Sequence, residues 1–275
     1  MGEQFDLIIK PDKGIGYFWQ DLWNYRGLFY FLAWRDILVR YKQTVIGIAW
    51  SVLRPLLTMI ILVIVFGKLA KLPSGGVPYP ILVFAAMLPW QLFASALTES
   101  SNSLVTNANM LSKVYFPRLI IPTSSVIVAL VDFLISFALL LMLVFLYRFP
   151  VSWRLLTLPA FLLLALVTTL GFSYGLSALT VKYRDFRHIV PIVVQFGLYI
   201  SPVGFSSSVV PDQWRMLYSL NPMVGVIDGF RWAILGTDFD LFLPGFALSA
   251  FVAFTVFWGG LAYFRRTERT FADVI

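Results

Sequence analysis

Residues 201–236 read SPVGFSSSVVPDQWRMLYSLNPMVGVIDGFRWAILG and lie between two uncharged apolar runs, 189–205 and 241–264. The stretch carries too many charges for a simple spanning helix, since each costs about 2.5–3.5 kcal/mol at mid-bilayer on insertion scales. It is also too apolar and aromatic for a water-exposed loop. Its prolines break helices, and its glycines allow backbones to approach closely. The pattern predicts a broken hairpin of short helices that dips into the membrane and borders a pathway.

The composition of the chain agrees with a membrane location. Of the 275 residues, 59% are hydrophobic and 13% are charged, and the mean hydropathy is +0.83. Soluble domains are about 45–50% apolar and about 25% charged. The sequence therefore predicts an all-α polytopic membrane protein. It has no cysteine, so neither disulfides nor thiolate metal sites contribute to the prediction.

Several apolar runs approach the roughly 20 residues needed to cross a bilayer. Six transmembrane helices are predicted, at residues 49–69, 79–99, 119–147, 155–181, 188–204 and 241–264. With the N-terminus inside, this topology assigns 15 of the 21 Lys and Arg residues to cytoplasmic segments. The positive-inside rule then predicts both termini in the cytoplasm, and the charge of +7 needs no nucleic acid to explain it.

The N-terminal region, residues 1–48, shows no signal peptide but carries an aromatic, amphipathic segment. In FYFLAWRDILVRYKQ, Arg35, Asp36 and Arg40 recur at helical spacing, and Asp36 and Arg40 can pair as i and i+4. This pattern predicts an amphipathic helix in the membrane interface. An ordinary solvated helix is the alternative.

Two predicted cytoplasmic loops have the composition of docking surfaces, with plain solvated connectors as the alternative. The first contains ESSNSLVTNANMLSKVYFPR, and the second contains VKYRDFRH. Across the hairpin, Arg231 could pair with Asp228 or Asp212.

The sequence offers little chemistry of its own. It lacks GxxxxGK[ST], so no P-loop is present, and its single histidine, His188, excludes a two-histidine metal site. Gly171-Phe-Ser-Tyr-Gly175 matches the G-x-S-x-G nucleophile pattern, but it lies in an apolar helix, where G-x-x-x-G is a packing face. We expect no enzyme activity, no catalytic residue, no metal and no cofactor in this chain.

Asp132 falls near the middle of the third predicted span and is compatible with two roles. An intramembrane carboxylate can serve a transport pathway, or it can anchor one helix to another by hydrogen bonds. Aromatic residues make up 17% of the chain, and an aromatic conduit would suit a sliding glycan. Core or lipid-facing positions are the alternative for each ring.

Four segments together resemble the permease subunit of type 2 ABC exporters, closest to those that export O-antigen, capsule or teichoic acid. They are LAWRDILVRYKQTVIGIAWSVLRPLL, LSKVYFPRLIIP, TVKYRDFRH and LNPMVGVIDGFRWAILG. The resemblance runs from about residue 17 to the C-terminus.

The resemblance implies a homodimer in the cytoplasmic (inner) membrane of a bacterium, with two copies of a separate ABC ATPase that binds ATP and Mg. It implies a lipid-linked polysaccharide as substrate and no nucleic acid partner. The six-helix domain would span residues 49–264, with a coupling loop at 100–118 and a re-entrant gate hairpin at 203–236 between helices 5 and 6. A cytoplasmic tail, 265–275, would follow.

The resemblance and the residue patterns assign three sets of positions. The ATPase-docking set is Arg35, Asp36, Arg40, Asn107, Ser112, Lys113, Tyr115, Phe116, Arg184 and Asp185. The gate set is Asn221, Pro222, Asp228 and Arg231. The candidates for lining the channel are Phe93, Asp132, Phe133, Phe137, Tyr174, Phe196 and Tyr199.

Two other interpretations remain open at this stage. A type 2 exporter of a lipid, drug or peptide would share the architecture and differ only in cargo. An ion-coupled secondary carrier would have inverted repeats, and no repeat is visible between residues 49–147 and 155–264. A membrane-embedded transferase would need an acid/base pair or metal cluster, and the sequence shows neither.

Overall fold

The computed structural model describes residues 23–42, 48–111, 113–114, 116–236 and 241–271. Within these ranges all regular structure is helical, as predicted, and there is no strand. Two predicted docking residues, Ser112 and Tyr115, lie outside the described residues.

Ten α-helices follow one another along the described chain. They are α1 (Arg26–Lys42), α2 (Ile48–Leu62), α3 (Tyr79–Thr106), α4 (Ala108–Leu111), α5 (Ile120–Leu146), α6 (Leu158–Lys182), α7 (Phe186–Ile200), α8 (Asp212–Tyr218), α9 (Pro222–Leu235) and α10 (Leu243–Glu268). A π-helix, Val63–Leu69, continues α2, and short 3-10 helices precede α6 (Trp153–Thr157) and α8 (Ser207–Val209).

Five helical segments are long and apolar enough to cross a membrane. They are Ala49–Leu69, Tyr79–Thr106, Ile120–Leu146, Trp153–Lys182 and Leu243–Glu268. The predicted fifth span, 188–204, corresponds to α7, which has only 15 residues. It ends early because Pro202 disfavours helical backbone at Ser201, whose ψ of 152° is extended. The chain is therefore a polytopic helical protein with a short apolar helix before the hairpin.

Helix α3 lies at the centre of the bundle. It packs against α5, α6, α7 and α9, and most of its side chains are buried. Apolar residues from these helices form the main core. A second, smaller cluster joins α1, the start of α5 and the ends of α6 and α10, with Leu32, Phe116 and Phe264 among its members.

Helices α6 and α10 cross at a close backbone contact made by Gly171 and Gly260. A Cβ on Gly171 would lie 2.6 Å from the Phe257 Cα, and one on Gly260 would lie 2.1 Å from the Gly171 carbonyl oxygen. Both distances are below van der Waals contact with backbone, which cannot rotate away. The packing interpretation of the Gly171–Gly175 motif is confirmed at Gly171, while Ser173 is buried inside α6 and has no strand–turn–helix geometry.

We expect Gly171→Ala and Gly260→Ala each to destabilise the protein by about 1–3 kcal/mol, because the added methyl group must push two backbones apart. Gly259→Ala is the matched control, since a Cβ there has no heavy atom within 4 Å. Thermal unfolding in detergent checks this expectation. Equal melting temperatures for the three variants would contradict the close contact.

Candidate functional site

An ionic cluster joins α1 to two spanning helices. The Arg40 guanidinium forms salt bridges with Glu99 of α3 and Asp132 of α5, and the Tyr41 hydroxyl donates a hydrogen bond to Asp132. The three charged side chains are each 26–33% exposed. We call Arg40, Tyr41, Glu99 and Asp132 the ionic cluster.

The two oxygens of Asp132 have different partners, Tyr41 at Oδ1 and Arg40 at Oδ2. Burial, reinforced by the neighbouring Asp132 carboxylate, raises the pKa of the Tyr41 phenol, so this hydroxyl stays protonated and donates. Of the two roles open from the sequence, this geometry favours an anchor between helices. Asp132 fastens the C-terminal end of α1 to α5.

The predicted pairing of Asp36 with Arg40 is wrong. Asp36 pairs with its neighbour Arg35 at 2.8 Å, because Arg40 turns towards α3 and α5, where two carboxylates compete for it. Arg35 also donates to the Asn107 side chain at 3.1 Å. The structure thus brings together two predicted docking residues from separate segments.

A cavity of about 710 Å³ opens beside the ionic cluster. Polar side chains from α2 and α3 line it together with Trp50 and Phe133; they are Ser51, Arg54, Gln91, Ser95 and Thr98. The cavity provides a pocket of mixed polar and apolar lining between α1 and the spanning helices.

The loop between α3 and α5 divides into buried and exposed parts. Phe116, predicted as a docking residue, is 4% exposed and packs within the smaller apolar cluster, so little of its side chain is open to a partner. Lys113 and Val114 are exposed. In the other predicted docking loop, Arg184 and Asp185 are also exposed just before α7.

The predicted channel-lining residues separate in the same way. Phe93, Phe133 and Tyr174 are buried within the protomer, so these three candidates are not on its open surface. The Phe133 ring stacks on the half-buried Phe137 ring and contacts the Phe230 ring edge to face. The Tyr174 and Thr123 hydroxyls share a hydrogen bond. Phe196 and Tyr199 of α7 are exposed, at 63% and 57%.

Arg231 holds the hairpin to the bundle. It is fully buried and donates three hydrogen bonds to backbone carbonyls, those of Leu82 (3.2 Å), Phe205 (2.7 Å) and Val203 (3.0 Å). The first belongs to α3, and the other two belong to the segment after α7. One side chain therefore joins three segments.

The predicted pairing of Arg231 with Asp212 is wrong, because the exposed Asp212 pairs with Arg215 at 3.1 Å. Asp228 is buried within electrostatic range of Arg231, but the guanidinium directs its hydrogen bonds to carbonyls. Those carbonyls come from distant segments and meet only in the folded chain. The sequence shows nearby charged residues but not this meeting, so it suggested the charged partners instead.

The other predicted gate residues form the start of α9. The Asn221 side chain caps the helix by accepting from the Met223 amide at 3.0 Å and donates to the Ser201 hydroxyl at 3.0 Å. Pro222 occupies the first helical turn, where its missing N–H costs nothing. All four predicted gate residues thus lie in or beside a helix that packs against α3, α6 and α10.

These features define a class of protein: a helical membrane protein whose N-terminal helix is bound by ionic contacts to its spanning helices and whose hairpin ends in a helix, α9, that is buried in the bundle. The family model for ABC-2 type transporters matches residues 27–235. The chain belongs to the ABC-2 type transporter family.

Curated relatives match nearly the whole chain. The O-antigen export system permease protein RfbA of Myxococcus xanthus is 29% identical over 93% of this chain and 98% of its own length. A protein of the same description from Klebsiella pneumoniae is 27% identical over 98% of this chain and 100% of its own length. The polysialic acid transport protein KpsM of Escherichia coli is 24% identical over 85% of this chain and 91% of its own length.

Proposed function

We propose that this chain is the channel-forming permease subunit of an ATP-driven exporter that moves a lipid-linked polysaccharide across the bacterial cytoplasmic membrane. The observation that carries the proposal is the end-to-end match to permeases described as exporting O-antigen and transporting polysialic acid. A match of this length includes the hairpin, α1 and both docking loops.

The channel would form between two copies of the chain. Helices α2 and α7 leave large apolar faces exposed on the protomer, including Trp50, Leu57 and Ile61 on α2 and Ile192 on α7. Exposed Phe196 and Tyr199 on α7 then suit the channel wall. In this proposal α7 completes six membrane segments, both termini lie in the cytoplasm, and the hairpin forms a gate at the outer mouth.

Energy would come from two copies of a partner ABC ATPase, which would bind ATP and Mg, since this sequence has no P-loop. The docking surface would combine Arg35 and Asp36 of α1, Asn107 and Lys113 of the coupling loop, and the Arg184–Asp185 pair. The Arg35–Asn107 hydrogen bond already joins the first two segments. The ionic cluster links the same helix to the transmembrane bundle.

Co-expression with the candidate ABC ATPase tests the proposal. We expect a stable complex whose ATP hydrolysis in lipid nanodiscs changes when a lipid-linked glycan is added. A complex indifferent to glycans but responsive to another lipid or drug would contradict the assigned cargo. Failure to form a complex would contradict the permease function.

We expect Phe196→Ala and Tyr199→Ala to reduce export severalfold while the complex with the ATPase still assembles, because an exposed ring on the channel wall contacts cargo rather than core. Phe251→Ala is the matched control, since Phe251 is a 69%-exposed ring on α10. Surface polysaccharide per cell, normalised to the amount of complex, is the measurement. A loss of export in the control equal to that in the α7 variants would contradict a specific role for α7.

A further inference from the structure

A second cavity, of about 540 Å³, lies between the hairpin, the turn before α3 and the start of α10. We call it the hairpin cavity. Its polar wall includes Ser206, Ser207, Ser208, Arg215, Tyr218 and Asp228. Leu82 and Phe242 contribute apolar surface. A volume in this range and a lining that combines apolar groups with a few polar ones are typical of a small-molecule site.

Asp228 is the unusual group in this wall. The residue is 6% exposed, and its Oδ1 atom has no hydrogen-bond partner among the described residues. A buried carboxylate oxygen without a donor is unfavourable, and nearly all buried polar atoms in proteins are paired. The Ser207 hydroxyl lies near the same carboxylate, and both residues line the cavity, where a ligand can supply a donor.

The surrounding charges indicate what that donor is. Arg231 and Arg215 both lie within electrostatic range of Asp228, and Arg215 also pairs with Asp212, so two cations already offset two carboxylates. A metal cation would meet two guanidinium groups and one carboxylate, which disfavours it. An anion would meet the Asp228 carboxylate. A neutral hydroxyl group that reaches this carboxylate from the cavity adds a donor without changing the charge balance.

The remaining wall suits a sugar ring. The serine hydroxyls both donate and accept, as sugar hydroxyls do, and those of Ser206 and Ser208 are already oriented by a 2.8 Å hydrogen bond. The Tyr218 hydroxyl donates to the Ile200 carbonyl at 2.7 Å, which fixes its ring in the wall. Tyr218 and Phe242 offer aromatic surface to the apolar C–H groups of a sugar.

We propose that the hairpin cavity is a carbohydrate-binding site, in which the Asp228 carboxylate and the serines of residues 206–208 hold one or a few neutral sugar units of the exported chain. The proposal rests on the proposed function, since it deepens the assignment of a polysaccharide cargo. A site within one protomer, beside the hairpin, would hold the chain next to the channel rather than inside it.

Single-cysteine protection tests the site, because the natural chain has no cysteine and labelling has no background. Ser208→Cys places a thiol on the exposed edge of the cavity wall, and Val151→Cys places one on an exposed loop that does not line it. The full chain in lipid nanodiscs is alkylated with a maleimide, with and without two probes: maltotriose and oligosaccharides released by mild acid from lipid-linked glycans of the source bacterium.

At a probe concentration of twice its Kd, we expect alkylation of Cys at position 208 to slow about threefold and that at position 151 to stay unchanged. Adding Asp228→Asn should raise the Kd of the probe about tenfold or more, since a charged hydrogen-bond acceptor is lost. Ser207→Ala, a smaller change, should also weaken the protection by the probe. It replaces Asp228→Asn in the experiment if that variant fails to fold.

Equal rates with and without both probes would overturn the proposal, as would protection that survives both cavity variants. Protection by calcium or sodium chloride alone would show a cation site and overturn it too. The assay needs neither the ATPase nor transport. A negative result here with intact export would remove the sugar site and leave the proposed function standing.

Discussion

Replacing Arg231 with Met is expected to lower the free energy of unfolding by about 3–5 kcal/mol, the cost of removing one partner from a buried charged network. The three carbonyls of Leu82, Val203 and Phe205 would lose their donors, and Asp228 would keep a buried charge without its nearby cation. Since the side chain joins α3, α9 and the segment after α7, the hairpin as a whole should loosen.

Arg215→Met is the control for Arg231→Met. Arg215 pairs with Asp212, whose side chain is 92% exposed, and such pairs contribute about 0–1 kcal/mol. Arg231→Lys should fall between the two, because an ammonium keeps the charge but cannot match the reach of a planar guanidinium. Melting temperature and size-exclusion recovery in detergent are the measurements. A Met variant at position 231 as stable as the control would contradict the anchoring role.

Reversing the charge of Arg40 is expected to abolish export. Arg40→Glu would place a third carboxylate beside Glu99 and Asp132, so the attraction of α1 to α3 and α5 becomes a repulsion. A surface ion pair contributes up to about 1 kcal/mol to stability, whereas breaking a buried one costs about 3–5 kcal/mol. Because the ionic cluster is partly exposed, we expect its loss to cost an amount between these two values. We expect α1 to detach at its C-terminal end and to expose its amides to hydrogen exchange.

The double variant Arg40→Glu with Asp132→Arg restores one opposite-charge pair and should recover part of the lost protection and export. Arg35→Glu is the matched control, since Arg35 lies on the same helix but pairs with its neighbour Asp36 and with Asn107. It should weaken ATPase docking while α1 keeps its protection from exchange. Unchanged exchange in the Arg40→Glu variant would contradict the anchoring of α1 by the ionic cluster.

The spanning helices could be predicted from the sequence because their length and apolar character are local properties. The predicted ends of the third and sixth spans lie within a few residues of α5 and α10, and the hairpin breaks fall at prolines, with Pro222 at the first turn of α9. Helix α7 is shorter than predicted. The apolar run in the sequence extends past Ser201, but the helix ends before it because Pro202 follows. Hydropathy therefore located the spanning helices, and proline determined where α7 ends and where α9 begins.

The contacts that carry the proposals could not be predicted from one sequence, because their partners lie far apart along it. Arg40 meets residues 59 and 92 positions away, and Arg231 meets a carbonyl 149 positions away. The signal that could have found the ionic cluster is the need of Asp132, a carboxylate at membrane depth, for a cation. No such signal exists for Arg231, since backbone carbonyls are the same in every residue.

Transport by the purified complex in proteoliposomes is the most direct test of the central claim. The complex of this chain with its ATPase is reconstituted with a lipid-linked polysaccharide and an entrapped glycan-cleaving enzyme that acts only on delivered chains. We expect cleavage that requires ATP and disappears in Arg40→Glu. A well-folded complex that hydrolyses ATP yet delivers no glycan, or delivers it equally without ATP, would contradict the proposed export function.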